Sequence, residues 1–217
     1  LFASAQKNAA PLESLVELYS RAALSAKDLG ISQGELLRFT DGVATALRVN
    51  GKSAAESSGA LLQLSQALGA GVVRAEEFNS VQEGALPILQ AVAKGLKEAG
   101  GNVSTLRKLV NEGKVSSVAF FRAFEAGAST LDGKVADAQS TIAQAFTRLE
   151  NVLTDVAGEM NKTTGAGVRL ADFLSNDLPA ALTEVAAIFT AVANGPIGKF
   201  LGLINQTRDA VEKVNAA

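Results

Sequence analysis

The sequence predicts an all-α protein: a compact helical bundle of short helices, followed by longer helices that carry a coiled-coil-like heptad seam. Three observations predict it. The apolar content of 47% is mostly Ala, Leu and Val, with 5% aromatics, no Trp and a single Tyr19. Small apolar side chains suit closely approaching helices better than a bulky sandwich core. Only four prolines occur (Pro11, Pro87, Pro179 and Pro196), and the long proline-free run between the middle two fits helices rather than a turn-rich all-β chain. The third observation is a recurring glycine, short spacer and serine: GISQGE (Gly30, Ser32, Glu35), GKSAAE (Gly51, Ser53, Glu56) and GKVSSVAF (Gly113, Ser116, Phe120). Glycine closes a helix in the left-handed conformation. The serine hydroxyl then accepts from a free amide of the next helix, and in the first two cases a Glu three residues on completes a capping box.

This punctuation divides residues 1–128 into helices at about 11–29, 33–49, 54–69, 74–83, 86–97, 104–112 and 117–127. In the first, Leu12, Leu15, Val16, Tyr19, Ala22 and Ala23 share a face; in the third, Leu61, Leu64, Ala67 and Leu68 do the same. Phe120, Phe121 and Phe124 sit at helical spacing and belong to the core. The connections are short, so consecutive helices pack as neighbours.

Residues 129–162 read as a long helix. Its apolar positions run Val135, Ala138, Ile142, Ala145, Leu149, Val152 and Val156, alternating in steps of three and four. That is a heptad seam, widened on one flank by Phe146 and Leu153. The pattern serves self-association and packing against the chain's own bundle equally well.

After NKTTGAG, residues 163–217 form an apolar helical hairpin region with helices at about 167–175, 179–193 and 197–214. Asn194, Gly195 and Pro196 stop one helix and start the next. The uncharged run VAAIFTAVANGPIG (185–198), bordered by Glu184 and Lys199, is shorter than the roughly 20 apolar residues a membrane span needs. Taken alone it reads as a buried hairpin.

No residue is assigned to catalysis, a cofactor or a metal. Histidine and cysteine are both absent, which removes the commonest general base, the thiol nucleophile and thiolate metal sites. The net charge is −2 with a pI near 5.3 and dispersed basic residues, unlike the concentrated basic face of a nucleic-acid binder. Adjacent Glu76 and Glu77 point about 100° apart on a helix, and read as first-turn acids favoured by the helix dipole. NGPIGKF (194–200) lacks the first glycine and the final hydroxyl of a phosphate loop, and GAGVRLAD (165–172) lacks the third glycine of a dinucleotide fingerprint. No carboxylate cluster has the spacing of a calcium loop. The sequons at Asn102, Asn161 and Asn205 stand without a secretion signal. A chain that opens at Leu1 without methionine reads as part of a longer polypeptide.

The stretches LLQLSQALGAGVVRAEEFNSVQEGALPILQAVAKGL and GGNVSTLRKLVNEGKVSSVAFFRAF carry a specific order of residues. Leu64, Gln66, Gly69, Gly71, Val72, Glu77, Phe78, Asn79, Ser80, Glu83, Pro87, Leu106, Arg107, Leu109, Gly113, Lys114 and Val115 closely resemble the motif series of the N-terminal domain of tape measure proteins from long-tailed bacteriophages and prophages. The resemblance is strong over residues 15–125 and looser through STIAQAFTRLENVL (140–153), which looks like the long helix following that domain. Two departures are visible. Ala75 stands where the family often has glycine, and EGALPIL carries one residue more between Glu83 and Pro87.

The resemblance implies a structural, non-enzymatic virion protein that lies in the tail lumen after assembly in the bacterial cytoplasm. It implies a scaffold whose length sets tail length, and whose partners are copies of itself (a trimer is expected), the tail tube protein, distal tail or tail-tip proteins and tail assembly chaperones. It implies ejection ahead of the DNA, with conditional membrane interaction by the apolar region and no sequence-specific nucleic-acid binding. Two readings compete. A membrane-inserting helical protein of the pore-forming type requires a longer apolar hairpin than the one broken at Asn194–Pro196. A muralytic enzyme fragment requires a catalytic carboxylate in a cleft, for which no motif is present.

Overall fold

Helix boundaries fall where the glycine–serine device places them. The computed structural model describes residues 1–137 and 141–160, with isolated positions between 175 and 190. The helices are α1 (Phe2–Asn8), α2 (Leu12–Leu24), α3 (Ala26–Leu29), α4 (Gln33–Asn50), α5 (Ala54–Gly69), α6 (Ala75–Gly95), α7 (Val103–Asn111), α8 (Ser117–Gly127), α9 (Ser129–Asp137) and α10 (Ile142–Met160), with one 3-10 turn at Lys97–Ala99. Among the described residues there is no strand, only an isolated antiparallel bridge between Val72 and Ser116. The chain is all-α.

Both expected capping boxes form. Ser32 accepts from the Glu35 amide while the Glu35 carboxylate accepts from the Ser32 amide; Ser53 and Glu56 repeat the exchange. Ser116 caps α8 through the Ala119 amide without a reciprocal acid. Gly30, Gly51 and Gly113 take positive φ of 62°, 69° and 67°, as their places after a helix require. The Asn102 side chain, part of a sequon, accepts from the Ser104 and Thr105 amides and caps α7.

Within residues 1–128, α1, α2, α3 and α6 depart from the sequence reading. The expected helix over 11–29 breaks at Ser25 (φ −95°, ψ 2°) into α2 and α3. Leu15, Leu18 and Ala22 are the buried positions of α2, while Val16 and Ala23 face outward. Two neighbouring stripes satisfy the same period, and the positions of α4 and α5 select between them. The short helix α1 precedes the first one expected. Helices 74–83 and 86–97 join as α6, bent at Ala85 (φ −154°, ψ 49°).

The core is organised around α6, which packs against α5 on one side and α8 on the other, with α4 and α7 completing its surround. Contact with α8 is made through small residues. A Cβ added at Gly95 would fall on the Ala123 carbonyl, and one at Gly127 on the Ala91 carbonyl. The helices therefore cross backbone to backbone, a geometry available only to residues without a side chain at the crossing. Beside it, Phe39 stacks on Phe121 (centroids 4.7 Å, 18°) and meets Phe124 edge-on (4.9 Å, 64°). Phe120, Phe121 and Phe124 are all buried.

The sequence expectation of one long helix over 129–162 meets two, α9 and α10. Thr141 opens the second: its hydroxyl accepts from the Gln144 amide and its amide donates to the Gln144 carboxamide. The other expectations for 163–217, including helices 167–175, 179–193 and 197–214, lie outside the described residues apart from isolated positions. None of the described helices is long and apolar enough to cross a membrane.

Candidate functional site

The motif residues fall at two places, the corner between α5 and α6 and the bend within α6. Gly71 (φ 80°) turns the chain out of α5, and the following residues run beside the loop that leaves α7. The Val73 amide donates to the Val115 carbonyl at 3.0 Å and the Ser117 amide to the Gly71 carbonyl at 2.9 Å. The Ser117 hydroxyl donates to the Ala67 carbonyl at the end of α5. Two motif segments far apart in sequence, around Gly71 and Gly113, thus become neighbours.

Glu76 and Glu77 separate as helical geometry requires. Glu77 is 3% exposed, and its carboxylate accepts from the Arg74 amide at 2.6 Å, so it holds the first turn of α6 closed. Glu76 faces solvent. Phe78 is buried one residue later, with the Arg107 guanidinium 5.5 Å from its ring centroid. Arg107 also donates to Gln82 Oε1 at 2.6 Å, tying α7 to α6. Leu106 on α7 and Leu64 on α5 are fully buried.

Glu83 and Pro87 mark the bend of α6. Proline offers no amide to the carbonyl four residues earlier, which is Glu83, and the non-helical Ala85 disturbs the same turn. The end of α4 and the residues just after it supply donors to the carbonyls of this bend. Lys52 Nζ donates to the Glu83 carbonyl, and Asn50 Nδ2 donates to the Gly84 carbonyl at 2.7 Å. Gly84 lies so close to α5 that an added Cβ would be 2.6 Å from the Ala60 Cβ and 2.8 Å from the Glu56 carbonyl. The residue noted as extra between Glu83 and Pro87 falls in this bend.

The motif therefore has two parts. Leu64, Glu77, Phe78, Pro87 and Leu106 are buried. Gln66, Gly71, Asn79, Glu83, Arg107 and Gly113 are exposed. Among the described residues no group of His, Cys, Asp or Glu is arranged to hold a metal ion.

A charged cluster missed by sequence reading lies elsewhere. Arg122 Nη1 reaches Glu35 Oε1 at 2.6 Å and Glu125 Oε2 at 2.9 Å, and its Nη2 donates to the Gly30 carbonyl at 3.0 Å. The Ser32 backbone amide, Arg122 and the Ser32 hydroxyl lower the Glu35 pKa to about 2. Arg122 and Glu35 are far apart in sequence, so only the fold could join them.

The seam residues are placed as follows. Val135 is partly buried on α9, Ala138 lies outside the described residues, and Ile142 and Val156 belong to α10. Ala145 and Val152 are buried within the chain, and Leu149 packs with Phe2 against Val152. Phe146 and Leu153 remain 53% and 50% exposed. A groove of 240 Å³ runs between α10 and the starts of α2 and α5, lined by Pro11, Ser14, Ala55, Glu150 and Asn151 among others.

Residues 1–162 match the family described as "Tape measure protein", a span covering the bundle, the corner and α10. No curated protein matches the chain significantly, nor does any solved structure.

Proposed function

The chain belongs to the tape measure protein family, whose members are structural components of the phage tail, and we propose that it acts as a scaffold that sets tail length. The observation that carries this reading is the family match over 1–162, which includes the whole motif corner. Tube subunits polymerise around the scaffold from the tail-tip complex, with tail assembly chaperones keeping it competent beforehand. The exposed polar residues of the motif, Gln66, Asn79, Glu83 and Arg107, are the ones offered to the tube or tip proteins. Copies associate through residues 135–156 as a trimer in the tail lumen, the alternating spacing of three and four supporting packing along a common axis. The assembly then leaves ahead of the DNA, and the apolar region within 163–217 assists genome passage into the host.

The test is a change of length. Each heptad inserted in frame into the encoding gene lengthens the tail by about 10 Å per repeat, at ~1.5 Å per helical residue, measured on tails by electron microscopy. Tails of unchanged length from several inserted repeats would remove the scaffold role. The membrane step has its own test: a peptide of residues 178–204 is expected to release dye from vesicles of bacterial lipid. Failure to bind or permeabilise them removes that step alone.

A further inference from the structure

Among the described residues, several polar contacts hold α10 to the rest of the chain. The Thr141 hydroxyl lies 3.5 Å from the Gly51 carbonyl, and Gln144 Nε2 donates to the Arg48 carbonyl at 3.0 Å. Arg148 Nε donates to the Gln6 carbonyl at 3.1 Å. Asn151 holds both sides of the turn before α2, donating to the Ala10 carbonyl at 2.7 Å and accepting from the Leu12 amide at 2.9 Å. Among the described side chains, Val152 with Phe2 and Leu149 forms an apolar cluster separate from the main core, and Ala145 of the same helix is buried as well. Three buried polar atoms without a hydrogen-bond partner among the described residues, Gln6 Oε1, Asn8 Oδ1 and Arg48 Nε, belong to the elements that meet here.

This junction differs in kind from the α6–α8 crossing. Hydrogen bonds to backbone carbonyls are exchanged for water at small net cost, and the described apolar cluster at the junction is a satellite of the main core. Opening of α10 therefore precedes opening of the bundle. Undocking also uncovers Ala145, Leu149 and Val152 beside Phe146 and Leu153, joining them into one wide apolar stripe. A lone helix of 19 residues carrying such a stripe is marginal in water. Other copies with the same spacing cover it in register.

We propose that α10 is a latch: docked on α1 it sequesters Ala145, Leu149 and Val152 of its heptad seam within the chain, and released it packs that seam against the same seam of other copies. The inference rests on the self-association proposed above and adds the state in which that association is blocked. Premature association is thereby restricted to the fraction of chains with α10 open, and the apparent association constant scales with that fraction.

The test uses the full chain, with hydrogen exchange to report docking and sedimentation to report mass. Amides of α10 are expected to exchange at least ~100-fold faster than those of α6 and α8. Asn151→Ala removes two contacts of the dock without altering the seam. It is expected to speed α10 exchange about tenfold, leave α6 protected, and raise the association constant by a similar factor. Adding Leu149→Lys to that variant is expected to return the chain to monomer while α10 stays open. Protection of α10 equal to that of α6 overturns the latch and leaves the self-association reading standing. An α10 that opens in Asn151→Ala while the chain stays monomeric at all concentrations overturns the self-association reading, and the latch with it.

Discussion

At the scale of single residues, the glycines separate into two kinds that sequence alone does not distinguish. Gly59 lies within α5 with no atom within 4 Å of an added Cβ, so Gly59→Ala gains helix propensity and is expected to stabilise by about 0.5–1 kcal/mol. Gly95→Ala and Gly127→Ala insert the same methyl into backbone of the partner helix, and overpacking there is expected to cost about 1–3 kcal/mol. Urea denaturation of the three variants checks both the signs and the contrast. Glu35 supplies a second prediction. Its folded pKa, about 2, lies below the ordinary 4.5, so its contribution is complete above the higher value and is lost as pH falls toward the lower. The stability gap between the protein and Glu35→Gln should therefore be present at about pH 6 and shrink steadily below about pH 4.5. The serine caps, the glycine stops and the phenylalanine core residues were legible in the sequence because each acts through its immediate neighbours or its helical period. The Arg122–Glu35 pair was not, because nothing local joins α8 to α4.

At the scale of elements, the bend in α6 shows one segment completing another. Pro87 marks a break in the sequence, but the donors that reach the carbonyls of the bend come from the last residue of α4, Asn50, and from Lys52 just beyond it. Asn50 is partly buried with its partner, so Asn50→Ala leaves the Gly84 carbonyl without this donor and is expected to destabilise by about 1–2 kcal/mol. Lys52 is exposed, and Lys52→Ala is expected to stay within about 0.5 kcal/mol. Thermal or urea melts of the two variants compare them directly. The face of α2 carries a similar lesson. Its period was readable, but burial of Leu15, Leu18 and Ala22 rather than Val16 and Ala23 followed from where α4 and α5 came to lie. The capping box of Thr141 and Gln144 has a recognisable spacing and divides the long helix expected over 129–162. Its signal was overshadowed by the apolar seam running through it.

At the scale of the whole molecule, the described chain is a core built around α6 with α10 attached at its margin. This arrangement matches the proposed role: a folded bundle presents the polar corner, while the helix carrying the seam is held by contacts that water can replace. The length test and the latch test address these two properties separately. The sequence by itself determined the fold class, most helix boundaries and the family, because caps, stops, apolar period and motif order are local properties of the chain. Tertiary structure alone decided that the Gly71 and Gly113 loops form one corner, that Glu77 is buried while Glu76 is not, and that Ala145 and Val152 pack inside the chain. These depend on which surfaces meet, and a periodic stripe specifies that it will be covered without specifying what covers it.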